Sequence, residues 1–323
     1  MKAIVYREYG STDVLKLEEV EKPAPGNDEV LVKVHAASVN DFDWGLLRGS
    51  PFINRVIGGI RKPKHNILGC DIAGRIEAVG KDAKQLKIGD EVLGDLSGCG
   101  FGGYAEYVCA PEKALTVKPK ALTFEQAAAV PHAATLVLQS LRDRRMIGSG
   151  DKVLFNGAGG GAGTLAVQIV KDLGAEITAV DSADKLEMLT ALGADHVIDY
   201  RAQDFTRNGQ RYDLIIDVQT RRGVFAYRRA LNRGGLTMMV GGSLRRVFSN
   251  MFISPLFSMF GKKKIVVLAH SPNKHMDYMN ELLESGKVTP VIDKTFPLSE
   301  VPEALNYFGS SGHTGKIIVA IGE

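Results

Sequence analysis

The chain has 323 residues, 45% of them hydrophobic and 24% charged, with a net charge of +3. This is the composition of a soluble globular protein of about two domains. So small a net charge argues against a partner held chiefly by bulk electrostatics, such as nucleic acid, and leaves room only for a local basic patch. Three widely spaced cysteines, Cys70, Cys99 and Cys109, offer no disulfide framework, and a reduced, cytoplasmic protein is expected.

The first third reads as β. Residues 3–6 begin directly as strand, without the apolar core of a secretory leader. Val30, Val32, Val34 and Ala36 alternate with Leu31, Lys33, His35 and Ala37, the period of a strand. Asn40-Asp41-Phe42-Asp43-Trp44 follows, and is expected on a loop. Further strands are expected at 72–79, 91–96 and 104–110. Turn signals at Pro25-Gly26-Asn27-Asp28, Gly80-Lys81-Asp82 and Ile88-Gly89-Asp90 separate them. Many short strands with regular turns predict a barrel-like β domain. After residue 123 the texture changes. Residues 125–142 form an Ala- and Leu-rich helical stretch behind a Thr123 cap, with Gln126 three residues on. Strands at 153–155, 177–180, 196–198, 214–218, 236–240 and 265–269 then alternate with helical patterns, which predicts a doubly wound parallel sheet. The most apolar segment, 247–260, holds Ser, Asn and Pro and is too short to span a bilayer. A buried or pocket-lining segment is expected there, and no membrane attachment. A helix at 275–285 and a strand at 316–321 close the chain, the strand rejoining the first domain. The expected division is 1–122 with 271–323, against 123–270.

The sequence Gly157-Ala158-Gly159-Gly160-Gly161-Ala162-Gly163-Thr164 follows the apolar run Val153-Leu154-Phe155 and opens a helical pattern at Leu165, Ala166, Ile169, Val170 and Leu173. Strand, glycine turn and helix in that order suit a dinucleotide pyrophosphate. The backbone comes close, and the first free amides of the helix point at the anion, aided by the helix dipole. About 20 residues beyond such a turn, the second strand ends near the adenosine ribose. Here that point carries Asp181-Ser182-Ala183-Asp184-Lys185. The charges oppose one another: Asp181 suits the ribose hydroxyls of NAD, whereas Ser182 and Lys185 suit the 2′-phosphate of NADP. The ordinary readings are a helix cap for Asp181 and a solvated helix residue for Lys185.

Several motifs extend the pattern over essentially the whole chain: Met1-Lys2-Ala3-Ile4, Ala36-Ala37-Ser38-Val39-Asn40, Gly69-Cys70-Asp71-Ile72-Ala73-Gly74, Gly89-Asp90-Glu91-Val92, Gly103-Tyr104-Ala105-Glu106-Tyr107 and Gly193-Ala194-Asp195-His196-Val197-Ile198-Asp199-Tyr200. With these, the chain resembles the zinc-independent quinone oxidoreductase branch of the medium-chain dehydrogenase/reductase superfamily. The resemblance implies a GroES-like β-barrel catalytic domain, a Rossmann domain, a homodimer and NADPH as preferred cofactor, with NADH as the alternative that Asp181 keeps open. It matches Gly157, Gly160 and Gly163 to the family's glycine turn, and Lys185 and Tyr200 to the 2′-phosphate region. Val218 and Gly241-Gly242-Ser243 are matched to the nicotinamide side, and Lys316 to a terminal Gly-Lys motif that also reaches the cofactor. It maps Asn40 and Asp43 onto an Asn-x-x-Asp element beside the active site. The family's Tyr two residues further on is Gly45 here, and Trp44, the only Trp, stacks on a planar ring or belongs to the core.

A zinc-binding set is not expected. Asn40 stands near the first ligand position of the superfamily's alcohol dehydrogenases, Cys70 at that of the His, with Asp71 instead of Glu, and His132 near the third. The region 95–103, where those enzymes carry a four-cysteine lobe, holds only Cys99. Without a Lewis acid, the expected substrate is an activated acceptor, a quinone or an α,β-unsaturated carbonyl. Asn40 is expected to donate a hydrogen bond to the developing oxyanion, Asp43 to orient the loop, and water to supply the proton. Phe248, Met251, Phe252, Phe257 and Phe260 are candidates to line a pocket for a bulky acceptor or to form a packed interface. The basic residues Arg221, Arg222, Arg228, Arg229, Arg233, Arg245, Arg246 and Lys262-Lys263-Lys264 keep two alternatives in view, a non-catalytic NADPH sensor and an RNA-binding protein. A zinc alcohol dehydrogenase is the third.

Overall fold

The computed structural model describes residues 1–258 and 263–322. Two compact units result, Met1–Thr135 with Ser271–Glu323, and Leu136–His270. In the first unit the strands are β1 (Lys2–Val5), β2 (Lys16–Glu19), β3 (Glu29–Ser38), β4 (Asp71–Val79), β5 (Glu91–Asp95), β6 (Tyr107–Pro111) and β7 (Thr116–Val117). The second unit contributes β8 (Lys152–Asn156), β9 (Glu176–Asp181), β10 (His196–Asp199), β11 (Tyr212–Asp217), β12 (Leu231–Met239) and β13 (Lys264–Val267), before the chain returns to the first for β14 (Ile292–Pro297) and β15 (Lys316–Ala320). The helices are α1 (Asp41–Arg48), α2 (Ile53–Gly58), α3 (Phe124–Ala128), α4 (Pro131–Arg142), α5 (Gly161–Asp172), α6 (Leu186–Ala191), α7 (Val224–Ala230), α8 (Leu244–Ser258), α9 (Met276–Glu284) and α10 (Val301–Gly309).

β3 organises the first unit. Its ten residues pair with β4 along one edge. On the other edge, β6 takes the first half and β15 the second. The path β14-β15-β3-β4-β5-β7 continues the sheet, and a separate antiparallel pair joins β1 to β2. Alternation along β3 turns Val30, Val32 and Val34 into a core shared with Ile72, Ile76, Leu46, Leu305 and Ile317. The second unit holds a six-stranded parallel sheet in the order β10-β9-β8-β11-β12-β13. Order therefore reverses beside β8, the switch point at which ligands settle outside the carboxyl ends of such strands.

Four expectations are corrected. Residues 41–48 form α1 rather than a loop, because Asp43 reaches back to accept the Asn40 amide at 3.0 Å and starts a helix. The stretch 125–142 is two helices. Thr123 and Gln126 do exchange capping hydrogen bonds, but Pro131 cannot continue α3 and instead opens α4. The compact-unit boundary falls at 135/136 rather than 122/123, while the return at 271 coincides. Finally, α8 is not buried on all sides: Asn250 is buried, but Phe248, Met251 and Phe252 are exposed, the last by 72%. A helix that rests one stripe on the sheet leaves the opposite stripe outside. The Phe257 side chain and Phe260 lie outside the described residues.

Candidate active site

In the second unit, the carboxyl ends of β8, β9, β11 and β12 carry the nucleotide candidates. Gly160 caps α5 in extended conformation, so the amides of Gly161, Ala162 and Gly163 begin the helix with no intrahelical acceptor. A Cβ on Gly163 would drive into the Ala158 backbone, whereas at Gly160 nothing lies closer than 3.9 Å. The turn is thus tight against its own strand and open at the helix mouth, as an anion site requires. Thr164 is buried and turns its hydroxyl back to the Gly161 carbonyl at 3.0 Å.

Asp181 does not face outward. Its Oδ2 accepts the Gly159 amide at 2.7 Å, and Oδ1 accepts the Ser182 amide at 2.8 Å. Lys185 lies 3.9 Å from Oδ1 and is buried. The carboxylate is therefore a brace for the turn and a counter-charge for Lys185. Tyr200 is half-exposed next door, its amide bonded to the Asp181 carbonyl at 3.1 Å. Val218 follows β11, and Gly241-Gly242-Ser243 follow β12. Gly242 has φ 94°, and a Cβ there would strike the Gln219 carbonyl. The sequence does not mark the anchor of this corner. Asp217, wholly buried, accepts from Gln219 and Thr220 amides at 2.8 and 2.7 Å, from Asn156 at 2.9 Å and from the Tyr227 hydroxyl at 2.7 Å.

The first unit gathers a second set around Asp71. Its Oδ2 receives Ser38 Oγ at 2.9 Å, Asn40 Nδ2 at 3.0 Å and Lys316 Nζ at 3.2 Å, and its Oδ1 receives the His132 amide at 2.9 Å. Lys316 also donates to Asn40 Oδ1 at 2.6 Å. The Asn40 amide is engaged inside this network, where it meets Asp71 and Lys316. Asp43 is wholly buried and accepts the Gly69 amide at 2.9 Å; burial pushes its carboxyl up to about 6. It also accepts the Asn40 amide, which holds the start of α1. Trp44 stands against Gly309 of α10, with the Arg48 guanidinium 5.1 Å from its ring, and packs on the core. That favours its structural reading. His132 Nδ1 meets Asp95 Oδ2 at 2.8 Å. Burial alone would lower the imidazole pKa, but the Asp95 carboxylate outweighs it and raises it; burial would raise Asp95, and His132 holds it below the usual carboxylate range.

Comparison with known proteins agrees with this architecture. The family described as alcohol dehydrogenase GroES-like domain matches residues 26–120, and that described as zinc-binding dehydrogenase matches residues 192–319. The 2-methylene-furan-3-one reductase of Solanum lycopersicum is 34% identical over 99% of this chain and 79% of its own length. The NADPH-dependent alkenal/one oxidoreductase of Arabidopsis thaliana is 32% identical with the same coverage. The chain belongs to the quinone oxidoreductase branch of the medium-chain dehydrogenase/reductase superfamily. Among solved structures, the quinone oxidoreductase from Coxiella burnetii superposes with a TM-score of 0.88 at 28% identity, over 100% of this chain and 99% of that one.

Zinc is named in one of the matching families, so the donor set here needs a test. Cys70, Asp95 and His132 bring a sulfur, an oxygen and a nitrogen within 4.8 Å of one another. They do not fit a zinc centre. Asp95 Oδ2 and His132 Nδ1 are joined to each other by a hydrogen bond at 2.8 Å, so two of the three donors are committed to one another, and burial raises the Cys70 thiol pKa well above its ordinary value. The sequence placed Cys70 and His132 near this spot; Asp95 carried no signal, because its partner lies 37 residues away.

Proposed function

We propose that this chain is an NADPH-preferring oxidoreductase that delivers hydride to quinones or to α,β-unsaturated carbonyls without a zinc ion. The observation that carries the reading is the glycine turn of the second unit, closed against its strand at Gly163 and open at Gly160, with the buried Lys185 beside it. Bound NADPH supplies a hydride equivalent. The amides of Gly161, Ala162 and Gly163 hold its pyrophosphate; Ser182 and Lys185, with Tyr200 alongside, hold the 2′-phosphate. Asp181, turned toward Gly159, braces the turn rather than repelling that phosphate. The names of the two relatives, one an NADPH-dependent alkenal/one oxidoreductase and one a 2-methylene-furan-3-one reductase, support an activated acceptor. The cluster around Asp71 supports zinc-free chemistry, since its donors are satisfied by one another.

The test is nicotinamide oxidation by EDTA-dialysed protein, with NADPH and NADH in parallel, against an ortho-quinone and a conjugated enal. Turnover preferring NADPH is expected. Turnover only after zinc is restored would overturn the zinc-free reading, and a preference for NADH would overturn the role given to Lys185. The RNA-binding alternative gains no support: Arg222 pairs with Asp204 at 3.4 Å, and Arg229 and Lys263 donate to the carbonyls of Thr206 and Arg228. Lys262 lies outside the described residues. We extend the proposal to a homodimer formed through β13 and to the cytoplasm, which three free cysteines suit.

A further inference from the structure

We propose that residues 48–64 form a docking face for an anionic lipid surface, on which the protein rests without crossing it. This segment of the first unit exposes large apolar side chains together. Phe52 is 66% exposed, Ile60 62% and Val56 54%, with Ile53 and Ile57 exposed beside them. Single exposed aliphatics are ordinary on a protein surface; five between residues 52 and 60 mark a contact. The same segment carries Arg48, Arg55, Arg61, Lys62 and Lys64, and no Asp or Glu stands between Asp43 and Asp71. Arg48, Arg61, Lys62 and Lys64 are exposed. Arg48 and Arg55 lie over the Trp44 and Tyr9 rings, at 5.1 and 4.8 Å. Among the described residues, none of the five cations is paired with a carboxylate.

The backbone beneath is fixed, so the exposure is built in. A surface helix ordinarily lays its apolar stripe on the core. The one buried residue of α2 is Gly58, where a Cβ would stand 2.8 Å from Leu46. Gly59 has φ 120°, and a Cβ there would strike the Lys62 carbonyl. The Tyr9 hydroxyl donates to the Gly59 carbonyl, Asn54 Nδ2 to the Ser50 carbonyl at 3.0 Å and the Lys64 amide to the Gly58 carbonyl at 2.6 Å. With glycine on the core side, Ile53, Val56 and Ile57 are left outside.

Charge decides the occupant. A second copy on this face would set five cations against five in a two-fold contact, and like charges oppose it. An acidic peptide would answer the cations and leave Phe52 and Ile60 in water. An anionic headgroup layer answers the cations while the acyl boundary below takes the apolar side chains. Each Lys or Arg near such a layer is worth about fivefold in binding. No described helix is long and apolar enough to cross a membrane, so the contact is peripheral. The absence of membrane attachment expected from segment 247–260 does not extend to this one. Quinones that carry apolar tails reside in lipid, so the face suits the proposed reaction without depending on it.

The experiment pellets the full chain with sucrose-loaded vesicles of phosphatidylcholine alone, or of equal parts phosphatidylcholine and phosphatidylglycerol, at low and high salt. Wild type is expected to pellet with the mixed vesicles only, and less so at high salt. Lys62→Glu with Lys64→Glu should weaken that binding by about 25-fold or more, and Phe52→Ser with Ile60→Ser by roughly 10-fold or more. NADPH affinity and the urea midpoint should hold in both variants, as the checks on fold. No pelleting of wild type with mixed vesicles, or unchanged pelleting in either variant, would overturn the inference. So would capture by a polyglutamate peptide in place of vesicles, which would give the face to an acidic protein, or a dimer that Phe52→Ser with Ile60→Ser dissociates, which would give it to a second copy. Pelleting is read without turnover, so this inference and the reductase reading can each fail alone.

Discussion

Gly160 and Gly163 stand three residues apart and have opposite roles, so the same substitution separates fold from binding. Gly163→Ala must push the Ala158 backbone aside, and a loss of about 1–3 kcal/mol is expected, read as a lower urea midpoint. Gly160→Ala meets nothing within 3.9 Å; its midpoint should hold while NADPH affinity, measured by fluorescence titration, falls because the methyl group fills the anion's space. Lys185→Ala should raise KM for NADPH by roughly 10- to 100-fold, the worth of one charge-assisted contact, with KM for NADH little changed. Asp43 offers a stability test. Its carboxyl is raised from 3.8 to about 6 by burial, so the folded state holds the proton more tightly than the unfolded chain between those values. Stability therefore falls as pH rises through that window, by up to about 3 kcal/mol. Urea midpoints at pH 4.5 and 7 should diverge less in Asp43→Asn than in wild type.

The elements that the sequence marks plainly are those whose cause is local. The glycine turn, the Thr123–Gln126 cap and the alternation of β3 are each read from neighbouring residues, and the structure holds all three. Removing the cap with Thr123→Ala should cost about 1 kcal/mol, measurable by chemical denaturation. What stayed hidden depends on partners far along the chain. The strands β2 and β14 carry charged, half-exposed residues with no clean alternation, and only pairing with β1 and β15 makes them strands. The Asn40 motif shows its amide but hides its partner Lys316, 276 residues away. α1 was concealed by Gly45 in its interior, a poor helix former, tolerated here because a Cβ would meet the Asn54 side chain.

At the scale of the whole molecule, the parallel sheet of the second unit ends in β13, an edge strand that among the described residues has one partner, β12. Such an edge invites pairing with a second copy, and Val267 is 38% exposed on it. Sedimentation should find a dimer, and Val267→Lys should dissociate it with little change in the unfolding midpoint; a wild-type monomer would remove β13 from the assembly. The ion pair between Lys316 and Asp71 has a consequence for how the protein is born. Residues 136–270 form their unit from one continuous run, so a ribosome can release that unit to fold while translation goes on. The other unit cannot finish then: β3 lacks its neighbour β15, and Asp71 lies buried without its cation, until residues 316–320 have emerged. Assembly of the half that holds Asp71 is therefore post-translational, and a ribosome that stalls before codon 316 yields a chain able to hold nucleotide yet unable to complete the Asp71 cluster.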